Sequence, residues 1–574
     1  MDSNRIKSLI DAAAGRKKAD LVIKNCSIIN VFSQEIIYGC LGISEGVFIG
    51  IGDYEGEKII DGEGRYLVPG LIDSHVHIES SLGTPYEFAR AVVKRGTTTV
   101  IADCHEIANV KGVNGIKYML EASENIPVKI YFMLPSCVPS TAFETSGAVL
   151  EAEDLEGLMN HERVLGLGEL MNYQGVTCCD TGIIKKLELA YKYNKTVDGH
   201  GPGIKEKELN AYASAGILTD HECSSESEVI DRLRNGMYIA IREGSAAKNL
   251  LNLAGTVNAF NERRFTFCTD DRHSKDILQE GHIDNNIRLA IKAGVNPITA
   301  IRMATLNSAE CYGLKRLGAI APGYKADFII VDNLIDFNVL RTFKDGIEIK
   351  QDICLPEKIY EKGYEDISKS IDIKEFTLED LNIKLSSDTV KVIKLLKHSL
   401  CTETVIRQVN RDEKGCFKYN KEADILPIYV FERHHGTGNI GKGLIEGYGL
   451  KNGAVASTIA HDSHNLIVIG DSREAVKLAV EKVEEMGGGL VAVKSGKVIG
   501  CLPLDIGGIM SSKSLEEICE AHEEINNITV KELCINDGVN AFMTLAFMAL
   551  PVIPELKVTD KGLFDVVHFN HICI

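Results

Sequence analysis

The chain has no tryptophan, which by itself decides nothing. Other absences exclude more. With 63 Lys and Arg against 81 Asp and Glu, the formal net charge is −18 and the pI about 5.4. That balance argues against a nucleic-acid surface, because neutralising phosphates takes clustered basic residues; a nucleobase as a small substrate stays open. The opening "MDSNRIKSLIDAAAGRKKADL" lacks a continuous apolar core and is not expected to be a signal peptide. The most apolar late stretch, "VNAFMTLAFMALPVIPELKV", is interrupted by Asn540, Thr544, Pro551 and Pro554, too broken to span a bilayer. The 16 cysteines are scattered with no Cys-x-x-Cys pair, so reduced thiols in a cytoplasm are expected.

What is present is a soluble globular composition: 45% hydrophobic, 25% charged, mean hydropathy −0.01. At 574 residues the chain exceeds what one hydrophobic core usually serves, so two or three domains are expected. From residue 66 to 272 short apolar runs alternate with amphipathic stretches. The runs are "YLVPGLIDSHV", "TTTVIADCHE", "VKIYFMLPS", "VLGLGELMN", "TVDGHGPG", "GILTDHE", "MYIAIREGS" and "FTFCTDDRH". Between them lie segments such as "SESEVIDRLRNG", where Val229, Ile230 and Leu233 keep helical spacing and Gly236 is a stop. Strand–helix alternation means parallel strands with crossover helices, and eight units close into a (β/α)8 TIM-like barrel, here over residues 67–316.

Residues 20–66 and 317–350 read as short antiparallel strands with Gly turns, and 1–66 plus 317–350 are expected to form a small discontinuous β-domain beside the barrel. Asn296-Pro297 predicts a break between two helices ahead of the second segment. Residues 351–385 are charged and mixed, a linker by composition, and 386–574 read as a separate C-terminal α/β domain.

Each candidate barrel strand ends in a polar cluster: Asp73/His75/His77, Asp103/His105/Glu106, Ser136, Glu169, His200, His221/Glu222, Arg242/Glu243 and Asp270/Asp271. Barrels of this kind carry chemistry at the C-terminal ends of their strands. His75 and His77 share a face because side chains alternate along a strand. One His-x-His is a weak signal; its recurrence with histidines and carboxylates at successive strand ends predicts a metal site. His75 and His77 would bind one divalent ion, and His200 and His221 a second. Glu169 would serve as the bridging anion that two neighbouring cations need, and Asp270 would reach the first ion and the water between them. Imidazole plus carboxylate without thiolate fits Mn2+, Fe2+ or Zn2+.

The ordered set "PGLIDSHVHIES", Glu169, His200, His221 and Asp270 resembles the amidohydrolase superfamily. More narrowly, "LIDSHVHIESS", "DCHEIANV", "LGLGELMN", "DGHGPG", "TDHE", "REGSAAKN" and "CTDDRH" are similar to the bacterial adenine deaminase family. The likeness continues in "ERHHGTGNIGKG", "STIAHDSHNLIVIG" and "LPLDIGGIMS", covering nearly the whole chain. Cys104 stands where the family's second-strand motif has proline, a change that bears on backbone shape more than chemistry. The resemblance implies hydrolytic deamination of adenine to hypoxanthine and ammonia, a purine-salvage reaction, at a binuclear centre usually credited with manganese or iron. The alternative is another superfamily hydrolase opening a cyclic amide or imide. Many of those use a carboxylated lysine as the bridge, and "GLGELMN" has none.

On that reading a metal-activated hydroxide attacks C6 of adenine, and Asp270 takes its proton and relays it to the leaving amino nitrogen. Glu106, Glu222 and Glu243 are candidates for the acid at ring N1, and each is equally able to orient a metal-bound imidazole. Arg242 and Ser245 are candidates for the purine edge, although Arg242 also suits a structural ion pair. In the C-terminal domain His461, Asp462 and His464, with His434 and His435, form a second polar cluster that is either an exposed turn or a lid supplying substrate contacts. "GTGNIGKG" fails the phosphate-loop pattern, since no Ser or Thr follows Lys442. The expected partners are adenine and water, with no nucleic acid and no membrane, and a homo-oligomer would be ordinary.

Overall fold

The computed structural model describes residues 2–350, 367–368, 370–397, 399 and 401–574. Asp2 caps a helix over Ser3–Ala13, accepting from the Asn4 and Arg5 amides, ahead of the stretch read as strands. Strands Ala19–Asn30, Glu35–Ser44, Val47–Ile51, Gly56–Asp61 and Tyr66–Pro69 then join Phe328–Val331, Val339–Lys344 and Ile347–Glu348 in one eight-stranded sheet. The two segments meet where Phe328–Val331 pairs antiparallel with Tyr66–Pro69. Contrary to the all-antiparallel expectation, Gly56–Asp61 and Tyr66–Pro69 run parallel to Ala19–Asn30. Ile23, Ile28, Leu41, Leu67, Phe328 and Phe343 share its core. After Pro69 the chain passes through Gly70 straight into the first strand of the next unit, so this sheet anchors the strand that carries His75 and His77.

That unit is TIM-like. Its parallel strands are Leu71–His77, Thr97–Asp103, Lys129–Leu134, Val164–Leu170 and Thr196–Gly199, followed by Thr219–Asp220, Tyr238–Arg242 and Phe265–Cys268. The first five pair in sequence, and the last three pair among themselves. A bridge between Val197 and Ile217 links the fifth strand to the sixth, and Asp270–Asp271 pairs back onto Val76–His77, so the sheet curls on itself. The first two strands are buried along their whole length, as parallel strands covered on both faces must be. The helices obey local rules. Thr84 caps Pro85–Lys94 with Pro in its first turn, and Ser225 with Glu228 forms a capping box for Glu226–Arg234. Gly236 follows that helix at φ 79°, and Pro297 starts a helix capped by Asn296.

The C-terminal region differs from the α/β expectation. Its eight-stranded sheet is antiparallel at every pairing except that of Thr389–Leu395 with Ile440–Glu446. The reason is local turn chemistry. Ser495 and Gly496 both sit at positive φ, so Gly489–Lys494 and Lys497–Pro503 close as a tight hairpin that leaves no room for a crossover helix. Helices Arg473–Met486 and Leu515–Leu533 cover this sheet. Residues 351–366 and 369 of the compositional linker lie outside the described residues. Farther along, Phe376, Leu381, Ile383 and Leu385 pack into the core of the C-terminal sheet. The "GTGNIGKG" stretch leads into strand Ile440–Glu446, and Lys442 donates to the Asn382 carbonyl at 3.0 Å. Among the described residues no helix is long and apolar enough to cross a membrane.

The C-terminal region sits against the barrel mouth. Glu87 accepts from the Leu515 amide at 3.1 Å, Asp560 from the Thr145 amide at 2.8 Å, and Asn465 donates to the Thr145 carbonyl at 2.7 Å. The "VNAFMTLAFMAL" stretch forms the helical turns Ala541–Ala546 and Phe547–Ala549, with Ala541, Phe542, Leu545 and Met548 buried beneath this sheet.

Candidate metal centre and interdomain cleft

Glu169 is the hub of the barrel mouth. Its Oε1 lies 3.2 Å from His77 Nε2 and 3.3 Å from His105 Nδ1, and its Oε2 lies 2.7 Å from His200 Nδ1 and 3.2 Å from His221 Nε2. His75 Nε2 and His77 Nε2 are 3.2 Å apart, and Asp270 Oδ1 is 3.5 Å from the first and 3.1 Å from the second. The rings of His75 and His221 stack with centroids 4.2 Å apart, closing the gap between the two histidine pairs. All six residues His75, His77, Glu169, His200, His221 and Asp270 thus meet at one place.

Backbone features hold them there. His77 Nδ1 lies 3.1 Å from the Asp103 carbonyl, which turns Nε2 inward. Asp103 itself accepts from the His105 and Glu169 amides, both at 3.0 Å. That contact needs Gly168, where a Cβ would fall 1.9 Å from Asp103 Oδ2. Gly168→Ala is therefore expected to push Asp103 off the Glu169 amide and cut bound divalent metal by about ten-fold or more; wild-type metal content in that variant would contradict this. Thr269 interrupts the eighth strand, and Asp270 follows at φ 55°, a region Asp enters more readily than most residues.

The electrostatics are those of a shared buried charge. Burial opposes ionisation of Glu169, but the imidazoles of His200, His221 and His77 outweigh it and hold its carboxyl well below the usual range. Asp270 is likewise held low against its burial, first by Arg242 and then by His75 and His77. Arg242 Nη1 sits 2.8 Å from Asp270 Oδ2 and also pairs with Glu222, which lies 3.6 Å from His221 and 3.8 Å from His200. Arg242 thus takes the ion-pair position, holding two carboxylates of the mouth.

The donor set fits divalent cations. His221 Nε2 and His105 Nδ1 are buried, close to carboxylate oxygens, and without a hydrogen-bond partner among the described residues. Orphaned buried nitrogens are costly, and a cation between imidazole and carboxylate satisfies both. Overlapping triads His75/His77/Asp270, His75/Glu169/His221 and His77/His105/Glu169 bring their ligand atoms within 4.8 Å. His105, read from sequence as part of the second strand's polar cluster, thus stands among the candidate ligands. Its neighbour Cys104 is buried with φ −105° and ψ 32°, just ahead of helix His105–Ala122.

A second cluster joins the barrel to the C-terminal region. Glu106 lies 2.8 Å from His461 Nδ1, touches His464 Nε2 through its other oxygen, and is 3.5 Å from His105 Nε2. Asp462 is buried beside it, with Oδ2 unpartnered among the described residues. His434 and His435 stand apart from it: their Nε2 atoms meet the carbonyls of Ser463 and Ser146 at 2.8 and 3.0 Å.

Two residues with sequence-assigned roles are not brought to the cluster. The Glu243 carboxylate turns away to accept from the Leu250 amide at 3.4 Å, since a bridge from Glu243 to Lys248 folds the following loop over it. Ser245 braces the same loop, bonding Asp276 and accepting from the His273 amide at 2.8 Å.

Beside the cluster a cleft of about 670 Å³, its open mouth included, runs between the barrel and the C-terminal region. Glu79, Ser80, Glu106, Asp271, His273 and His461 contribute its polar part, and Ile509, Phe542, Met543 and Phe547 its apolar wall. Burial pushes the Glu79 carboxyl up to about 7, and nearby Glu106 adds to this. Sequence reasoning offered His461 and His464 as part of a lid or an exposed turn, and both line this cleft, but it missed the apolar wall and Glu79. Phe542, Met543 and Phe547 of that wall come from the stretch tested as a membrane span, and Glu79 was legible only as part of "HVHIESS".

Curled parallel strands with histidines and carboxylates at their ends define an amidohydrolase, and residues 66–349 match the amidohydrolase family model. Residues 399–570 match the model of the adenine deaminase C-terminal domain. The chain is 52% identical to an adenine deaminase of Clostridium acetobutylicum over 566 residues, covering 98% of this chain and 99% of that one. It is 48% identical to that of Geobacillus kaustophilus, covering 97% of each, and 43% identical to that of Bacillus subtilis, covering all of both. The chain belongs to the adenine deaminase family.

Proposed function

We propose that the chain hydrolyses adenine to hypoxanthine and ammonia, with two divalent ions at the barrel mouth. The observation that carries this reading is Glu169, whose two oxygens face His77 on one side and His200 and His221 on the other. His75, His77 and Asp270 would hold one ion, His200 and His221 the other, with Glu169 shared between them; Mn2+ suits this hard, thiolate-free set. When bound, such ions supply Lewis acidity that lowers the pKa of water from about 15.7 to about 7.

The remaining steps fall to the chain's own residues. Asp270, with Oδ1 turned to the cluster and Oδ2 held by Arg242, accepts the proton of the attacking water as C6 becomes tetrahedral. It then delivers that proton to the departing amino nitrogen, and the water's second proton leaves the C6 hydroxyl to replace the one given to ring N1. Glu106 lines the cleft and is the candidate that remains for ring N1 once Glu243 faces Leu250 and Glu222 is bound to Arg242. Burial opposes its ionisation, but His461 and His464 hold its carboxyl well below the usual range, and Glu106 in turn pushes His461 up to about 9, so the proton for ring N1 is held by His461 and passes through Glu106. His461 and His464 therefore act on Glu106. We place the reaction in a reducing cytoplasm, where thiols such as Cys104 and Cys268 stay free.

The deciding measurement is incubation of Mn2+-loaded protein with adenine, following ammonia and hypoxanthine, beside parallel incubations with hydantoin and dihydroorotate. Turnover of adenine alone is expected. Ring opening of either cyclic amide without adenine turnover would overturn the reading.

A further inference from the structure

The mechanism above leaves one buried polar atom of the cleft unused. Glu79 follows the His75/His77 strand in the short turn Ile78–Ser81 and is 3% exposed. Its Oε1 accepts from the Ile107 amide at 3.2 Å, while Oε2 has no hydrogen-bond partner among the described residues. Leaving a buried acceptor unmade is costly, so its position on a cleft wall marks a place where a donor is meant to arrive. The same cleft is lined by Phe542, Met543 and Phe547 of the C-terminal region, and Phe547 stacks on His461 with ring centroids 4.6 Å apart. A flat apolar wall together with polar edge groups suits a planar heteroaromatic ring with N–H donors on its rim.

We propose that this cleft seats the purine base, with Glu79 accepting a hydrogen bond from a purine N–H and Phe547 bearing on the ring. The assignment rests on the adenine reading above and adds to it a specificity residue on the barrel side and a ring-binding wall from the C-terminal region. It also accounts for the domain's placement. The barrel alone holds the candidate metal residues, but a base bound there would have one open side, which helix Ala541–Ala546 and the turn after it close.

The test uses the full-length, metal-loaded protein with Glu79→Leu, Glu79→Gln and Phe547→Ala. The readouts are KM and kcat for adenine, Kd for hypoxanthine by calorimetry, metal content and thermal midpoint. Glu79→Leu is expected to raise KM and the hypoxanthine Kd by about ten- to hundred-fold with a smaller change in kcat and unchanged metal content. Glu79→Gln, which keeps an amide oxygen, should recover most of that loss, and Phe547→Ala should weaken hypoxanthine by about five-fold or more. A merely structural Glu79 would lower the thermal midpoint and leave Kd within two-fold, which overturns the proposal; so does a loss of binding that follows a loss of metal. If the wild-type protein bound hypoxanthine through Glu79 but released no ammonia from adenine, the deaminase reading would fail and the purine seat would stand. Adenine turnover with Kd indifferent to both Glu79 variants gives the reverse.

Discussion

Asp270→Asn is expected to cut kcat for adenine by about 10²–10⁴-fold while the fold stays intact. The amide has the size of the carboxylate, so Thr269 and the φ 55° turn still place it beside His75 and His77. What it lacks is the ability to take a proton from water and return it to the leaving nitrogen. Arg242 keeps Glu222 as a partner, so the guanidinium is not stranded. Steady-state kinetics with metal content measured on the same preparation checks this. A variant that holds two equivalents of metal and turns over near the wild-type rate would remove Asp270 from the proton path.

Glu169→Gln is expected to act earlier, on the centre itself. Four imidazoles approach this carboxylate within 3.3 Å, and its buried negative charge is the one they share. An amide presents one oxygen and no charge to cations that repel each other, so metal affinity should fall by at least about 10–100-fold and turnover with it. Elemental analysis after dialysis, with wild type alongside, reads the first effect without reference to activity. Two tightly held ions in the variant would show that Glu169 does not bridge. The two predictions separate cleanly: Asp270→Asn should keep its metal and lose chemistry, whereas Glu169→Gln should lose both.

The alternation of apolar runs and amphipathic segments made the parallel, TIM-like unit readable, because strand periodicity and helix caps are short-range properties of the chain. The strand-end positions of His75, His77, Glu169, His200, His221 and Asp270 were readable for the same reason. Glu243 shows the limit. It ends a strand as Glu169 does, yet a local bridge to Lys248 turns its carboxylate toward Leu250, and no periodicity reports where a loop folds back. The C-terminal sheet shows another. Its apolar runs fit parallel or antiparallel pairing equally well, and the choice lay in turns as small as Ser495-Gly496.

The sequence by itself determined the barrel strands, their succession along the chain and the residue types at their ends, since these follow from spacing over a few positions. Only the tertiary structure decided that Glu106 meets His461 and His464, more than three hundred residues away, and that Phe542 and Phe547 line the same cleft as Glu79. Such contacts come from packing one domain on another, and the surfaces that meet there carry no local pattern announcing their partner.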